Sequence, residues 1–144
     1  MANFSPESEA FLATLHPDMQ RVLRRAIKIY DFKILCGLRT EKAQAEALAK
    51  HTSTVAYPES KHNRSQKLDG TYDYKMSDAV DCVPFPIKWP DLRNQTTNEY
   101  VKRMGEFYFL AGVMFMAAAI EGVPIRWGGR FKSLFDGPHF ERIP

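Results

Sequence analysis

Phe107 to Ile120 (FYFLAGVMFMAAAI) is a run of 14 residues without a charged side chain, bracketed by Glu106 and Glu121. No other segment constrains the fold as tightly. Such a run must be buried, either in a bilayer or in a protein core. A helical span of a bilayer needs about 20 apolar residues. This run is therefore read as the core helix of a globular domain, and no stable membrane insertion is expected. Thr96-x-x-Glu99 is placed as its capping box, and Gly122 with Pro124 as its stop. A chain of 144 residues is read as a single domain, 1–144, able to bury a core without a disulfide or metal merely to fold.

Other elements surround that helix. Pro17 starts a second helix in which Met19, Val22, Leu23, Ala26 and Ile27 recur at helical spacing, with Arg21, Arg24, Arg25 and Lys28 on the other face. Phe32 to Cys36 reads as a short strand ended by Gly37, and Thr40 caps a helix through Lys50. Residues 51 to 78 are polar and turn-rich, with a hairpin turn at Asp69-Gly70. Ala79 to Val83 (AVDCV) reads as a buried strand, as do Ile125 to Trp127 and His139 to Ile143. Helices and strands are interspersed without regular βαβ repetition. That predicts an α+β fold with a small, largely antiparallel sheet.

Charge and cysteine content narrow the function classes. The net charge is +3, a mild excess that favours an anionic partner without naming one. A nucleic-acid binder would show a stronger basic stripe, so none is expected as a partner. Cys36 and Cys82 lie in apolar runs and are read as small hydrophobes, with no framework spacing. The N-terminus carries no basic n-region or long apolar h-region and is not read as a secretory signal.

The chemistry lies in three anomalies. Asp81 stands in the middle of an apolar strand, where a carboxylate is costly unless paired, hydrogen-bonded or metal-bound. An exposed strand edge would also explain it. His139 lies between Pro138 and Phe140, and His62 follows Ser60-Lys61 in the polar stretch. Each histidine alone has a structural reading. Together, two imidazoles and a carboxylate are a common protein shell for catalytic zinc, which leaves a fourth position for water and lowers its pKa. Asp136, three residues before His139 across a Gly-Pro turn, is a carboxylate that such a turn can bring beside the metal.

These residues resemble the phage endolysin branch of the D-alanyl-D-alanine carboxypeptidase-like (VanY-like) zinc peptidases, which includes L-alanyl-D-glutamate endopeptidases. The resemblance rests on Ser60-Lys61-His62, Ala79-Val80-Asp81 and Asp136-Gly137-Pro138-His139-Phe140-Glu141. It rests also on Gly37-Leu38-Arg39-Thr40 with Gln44, on Pro84 to Trp89, and on Ile125 to Gly129. It implies that His62, Asp81 and His139 bind Zn2+ and that Asp136 is the general base. It implies that Arg39 stabilises the scissile carbonyl or its oxyanion, and that Ser60 positions substrate. Gln44 would bind substrate or buttress Arg39. Glu141 shares a strand face with His139 and is placed to orient it or merely to lie nearby.

The chain departs from the simplest pattern in three places. His62 and Asp81 are 19 positions apart, so the 63–78 stretch is an insertion, either a flap or a surface loop. Ser77 stands where glycine is usual, and Arg130-Phe131 stand where Asp-Trp is frequent. The function the resemblance implies is hydrolysis of a peptidoglycan stem-peptide bond, most plainly L-alanyl-D-glutamate, for host lysis. A D-alanyl-D-alanine carboxypeptidase or dipeptidase is the first alternative, and a non-catalytic wall-binding module the second. A monomer held in the host cytoplasm until lysis, then acting in the periplasm on the cell wall, follows from the same resemblance. Release by a holin would then be expected.

Overall fold

The computed structural model describes residues 2–144. The helices are α1 (Pro6–Leu12), α2 (Pro17–Ala26), α3 (Glu41–Ala49) and α4 (Asn98–Glu121). The strands are β1 (Phe32–Cys36), β2 (Ser65–Gln66), β3 (Tyr72–Asp73), β4 (Ala79–Pro84), β5 (Ile125–Trp127) and β6 (His139–Arg142). A four-stranded sheet runs β1-β4-β6-β5 with every neighbouring pair antiparallel, and β2 and β3 form a separate hairpin. The fold is α+β, as the interspersed pattern predicts.

One face of the sheet is the core. Ile34, Val80, Cys82, Trp127 and Phe140 bury against the Met19–Leu23 side of α2 and the Leu110–Met114 side of α4. The charge-free run is thus helical and packed, but the helix is longer than the run, 24 residues in all. It is covered on one side only. Tyr108, Phe109, Met116 and Ile120 remain exposed.

The helix begins one residue later than the capping box predicts. Thr97, not Thr96, accepts the Tyr100 N–H at 3.1 Å. Glu99 is then free to accept from Arg103 one turn on, at 2.8 Å. Gly122 ends the helix at φ 67°, a left-handed conformation that suits glycine. The sequence reading omits α1 altogether. Its signals are nonetheless present: Ser5 caps it, Pro6 opens it, and Glu7 and Glu9 lie in its first turn.

The other face of the sheet carries candidate site residues. Asp81 lies opposite His139 in the β4–β6 register, and Glu141 lies opposite Ala79 and Arg126. Strand alternation puts Asp81, His139, Glu141 and Arg126 on that face, away from the core. Cys36 joins them through an irregularity in β1: Ile34 pairs with Cys82, but Cys36 pairs with Asp81. The extra residue turns Cys36 off the core face that simple alternation would give it.

Candidate metal centre

His62 is delivered by the turn between α3 and β2. Ser60 Oγ accepts the His62 N–H at 3.2 Å, and Asn63 Oδ1 accepts the Ser60 N–H at 3.2 Å. The turn docks on the segment after β1, where Arg39 N–H donates to the His62 carbonyl at 2.7 Å. His62 Nδ1 lies 2.9 Å from the Gly37 carbonyl, which can only accept, so this nitrogen carries the proton. Its Nε2 points the other way, 3.3 Å from Asp81 Oδ1.

His139 mirrors this arrangement with its nitrogens exchanged. Its Nε2 lies 3.0 Å from Glu141 Oε2, and its Nδ1 lies 3.5 Å from the same Asp81 Oδ1. Glu141 is itself held by Arg126, whose Nε donates to Oε1 at 2.9 Å. The two imidazole rings are 5.2 Å apart and both are buried. Two imidazole nitrogens and one carboxylate oxygen therefore converge, while each remaining ring nitrogen is tied to an acceptor. Such outer partners fix the tautomer a metal ligand needs, and the donor set suits zinc with an open position.

Cys36, His62 and Asp81 also place donor atoms within 4.8 Å of one another. The Cys36 sulfur, however, is 3.8 Å from His62 Nδ1, the nitrogen given to Gly37. It stands behind the ring, whereas Asp81 and His139 stand before it. The sequence predicts a core hydrophobe at both cysteines; the irregularity in β1 corrects that for Cys36, while Cys82 is fully buried as expected.

The electrostatics follow from this clustering. Burial alone would lower the His62 pKa, but the Asp81 carboxylate beside it outweighs burial and raises it to about 10. Burial alone would raise Asp81, yet the two imidazoles hold its carboxyl well below the usual range. His139 is likewise raised: burial works against its charge, and hydrogen bonds to Asp81 and Glu141 prevail. Asp136 is raised by burial and by the Asp81 charge, against the pull of His139, His62 and Arg39. It therefore titrates closer to neutrality than an ordinary aspartate, as a general base should.

Asp136 sits in the turn between β5 and β6. That turn is fixed by Trp127 Nε1–H donating to the Gly137 carbonyl at 2.7 Å, and by Asp136 N–H donating to the Gly128 carbonyl at 3.0 Å. Gly128 is required here for space. A Cβ on it would fall 2.9 Å from Asp136 Cβ and 3.0 Å from His139 Cβ. An Arg39 guanidinium nitrogen lies 3.7 Å from Asp81 Oδ2.

The surroundings of Gln44 favour the second of its two readings, the support of Arg39. Its side chain is fully buried and accepts from Arg39 at 3.1 Å and from Asn63 at 3.3 Å. Its amide donates to Ser53 Oγ and the Val55 carbonyl. No atom is left to meet a substrate, so Gln44 positions Arg39. Asn63, which also donates to the Arg39 carbonyl at 3.0 Å, is a partner the sequence reading missed.

The family model of the phage L-alanyl-D-glutamate peptidases matches residues 1–143 of the chain. An L-alanyl-D-glutamate peptidase of Escherichia phage T5 is 36% identical, with 97% of this chain and 97% of that protein covered. Among solved structures, the Serratia marcescens L-Ala D-Glu endopeptidase ChiX is similar at a TM-score of 0.67 and 28% identity, covering 97% of this chain and 89% of that one.

Proposed function

The chain belongs to the phage L-alanyl-D-glutamate peptidases, and we propose that it hydrolyses the L-alanyl-D-glutamate bond of peptidoglycan stem peptides as a zinc-dependent endopeptidase. The observation that carries the zinc reading is the convergence of His62 Nε2 and His139 Nδ1 on one oxygen of Asp81. Those three residues hold the ion in this proposal. When bound, zinc supplies a Lewis acid that polarises the scissile carbonyl and lowers the pKa of water.

The remaining chemistry belongs to the chain's own side chains. Asp136 takes a proton from the attacking water and returns it to the leaving amine. Its raised pKa matches that double duty. Arg39, held by Gln44, donates to the carbonyl oxygen as negative charge develops there. Ser60 keeps its hydroxyl proton for a substrate carbonyl, because its oxygen accepts from His62 N–H. We further propose a phage lytic role, in which a monomer folded in the host cytoplasm reaches the periplasmic wall through a holin lesion.

Digestion of purified peptidoglycan with mass spectrometry of the new termini tests the bond. New D-glutamyl amines are expected; released D-alanine would instead favour the carboxypeptidase reading. Asp136→Asn is expected to retain one zinc per chain by atomic absorption and to lose about 10²–10⁴-fold in kcat. Near-normal turnover would move the base elsewhere.

A further inference from the structure

The charge-free run of α4 is apolar all round, yet the protein buries only one side of it. A helix of that kind is ordinarily covered on every side. The packed arc carries Leu110, Met114 and Ala117. The opposite arc carries Val101, Tyr108, Phe109, Met116 and Ile120, which are between 45% and 61% exposed. At helical spacing these five fall within about one-third of the circumference, and from Val101 to Ile120 they run about 28 Å along the axis. Gly105 and Gly112 lie on the same arc, and a Cβ added to either would meet nothing within 4 Å. A continuous apolar strip of this length on a protein surface marks an interaction site.

The charge around the strip has one sign. Lys102 shares the arc with Phe109 and Ile120 by helical spacing and is its one charged residue. Arg130, just past β5, reaches α4 along one edge of the arc, its guanidinium carbon 5.3 Å from the Phe115 centroid, and Lys132 lines the same cleft. Along the other edge, the Tyr30 ring meets Phe109 edge-on at 4.9 Å, and the exposed Lys28 and Ile29 immediately precede it. None of Lys28, Lys102, Arg130 and Lys132 has an ion-pair partner among the described residues. The acids of α4 are already taken: Glu99 and Glu106 accept from Arg103, and Glu121 accepts from Arg25.

An apolar strip edged by uncompensated cations complements an anionic lipid surface, whose acyl region takes the side chains and whose headgroups take the charge. Tyr108 suits that boundary, with an apolar ring and a polar tip. A second copy of the chain is a poorer complement, because its face brings the same unpaired cations and acids that are already paired. We propose that the exposed arc of α4 is a docking surface for an anionic phospholipid bilayer, on which the folded protein lies with α4 parallel to the plane. The bilayer is not crossed, since the packed arc stays in the core. The proposal does not rest on the peptidase reading.

The test sediments the full-length protein with vesicles of equimolar phosphatidylglycerol and phosphatidylethanolamine, and separately with vesicles of phosphatidylcholine. Binding to the anionic vesicles is expected to be about 10-fold or more stronger than to the neutral ones, and to weaken as salt is added. Met116→Gln/Ile120→Gln is expected to weaken partition onto the anionic vesicles about 10- to 100-fold, with the near-ultraviolet circular dichroism of the wild type retained as the sign of an intact fold. Lys102→Gln, a surface change that leaves the core alone, is expected to weaken it about fivefold. Lys42→Gln removes the same charge from α3 and should leave binding unmoved. Absence of binding to anionic vesicles, equal binding to both kinds, or a loss in Lys42→Gln as large as in Lys102→Gln overturns the proposal. So does a lipid-free mass of two chains by light scattering that falls to one in Met116→Gln/Ile120→Gln, which would assign the arc to a second copy.

Discussion

Each histidine at the centre spends one ring nitrogen on a fixed acceptor and turns the other to Asp81. For His139 the acceptor is Glu141, whose own pKa falls because His139 and Arg126 outweigh the effect of its burial. Glu141→Gln keeps the shape but removes the charge and offers an amide that competes for the proton. Zinc affinity, read by competition with a chromogenic chelator, is expected to fall about 10- to 100-fold, the usual cost of losing such an outer partner. An affinity within twofold of wild type would show that Glu141 merely lies nearby. Asp81 and His139 were legible in the sequence because a carboxylate among apolar strand residues demands a reason. The Gly37 carbonyl was not legible, since a backbone group leaves no mark on a residue list. Nor was the placement of Cys36, because one irregular residue in β1 reverses the face that alternation assigns.

The 63–78 insertion is an element with its own anchor. Its β2–β3 hairpin turns at Asp69-Gly70, as the sequence predicts, with Asp69 Oδ1 accepting the Thr71 N–H at 2.9 Å and Gly70 at φ 84°. The root of the hairpin is held by a buried pair far apart in sequence. Arg142 Nε donates to Asp78 Oδ1 at 2.9 Å, and Arg142 also donates to the Gln66 carbonyl at 2.6 Å. Asp78 accepts in addition from Ser65 Oγ and Gln66 N–H, each at 2.8 Å. Removing one member leaves the other charge buried without its partner. Asp78→Ala is therefore expected to destabilise the protein by about 3–5 kcal/mol, measured by urea unfolding; a loss under 1 kcal/mol would mean that water replaces the pair. The hairpin's existence was legible from its turn chemistry. Its fastening was not, because the ion pair joins residues 64 positions apart. The omission of α1 has a different cause: the cap, proline and acidic first turn were all readable, but a helix of seven residues has too little periodicity to draw notice.

For the whole molecule, the proposed zinc site would link metal, protons and stability. In the metal-free protein, His62 titrates at about 10, above its unfolded value. The stability it contributes is full below about pH 6.5 and is lost as pH rises through about 10. Asp81 is depressed, so its contribution is present above its unfolded value and is lost only as pH falls through its low folded value. Metal binding displaces the histidine protons and so gains with pH. The rise in Tm on adding zinc to chelator-stripped protein is expected to be larger at pH 8.5 than at pH 6. A pH-independent difference would remove the histidines from the ligand set. The α+β class and the order of the strands' motifs along the chain were legible at this scale. The sheet order was not, because pairing of β6 between β4 and β5 is settled by tertiary packing rather than by local pattern.

That central place of β6 has a consequence for synthesis. The strand carrying His139, Glu141 and Arg142 separates β4 from β5, so nothing can close the sheet, align the ligands or clamp the hairpin until residue 142 has left the ribosome. A chain ending before His139 has neither the third proposed zinc ligand nor a finished sheet. Closure of the sheet and completion of the proposed zinc site thus wait on the same strand.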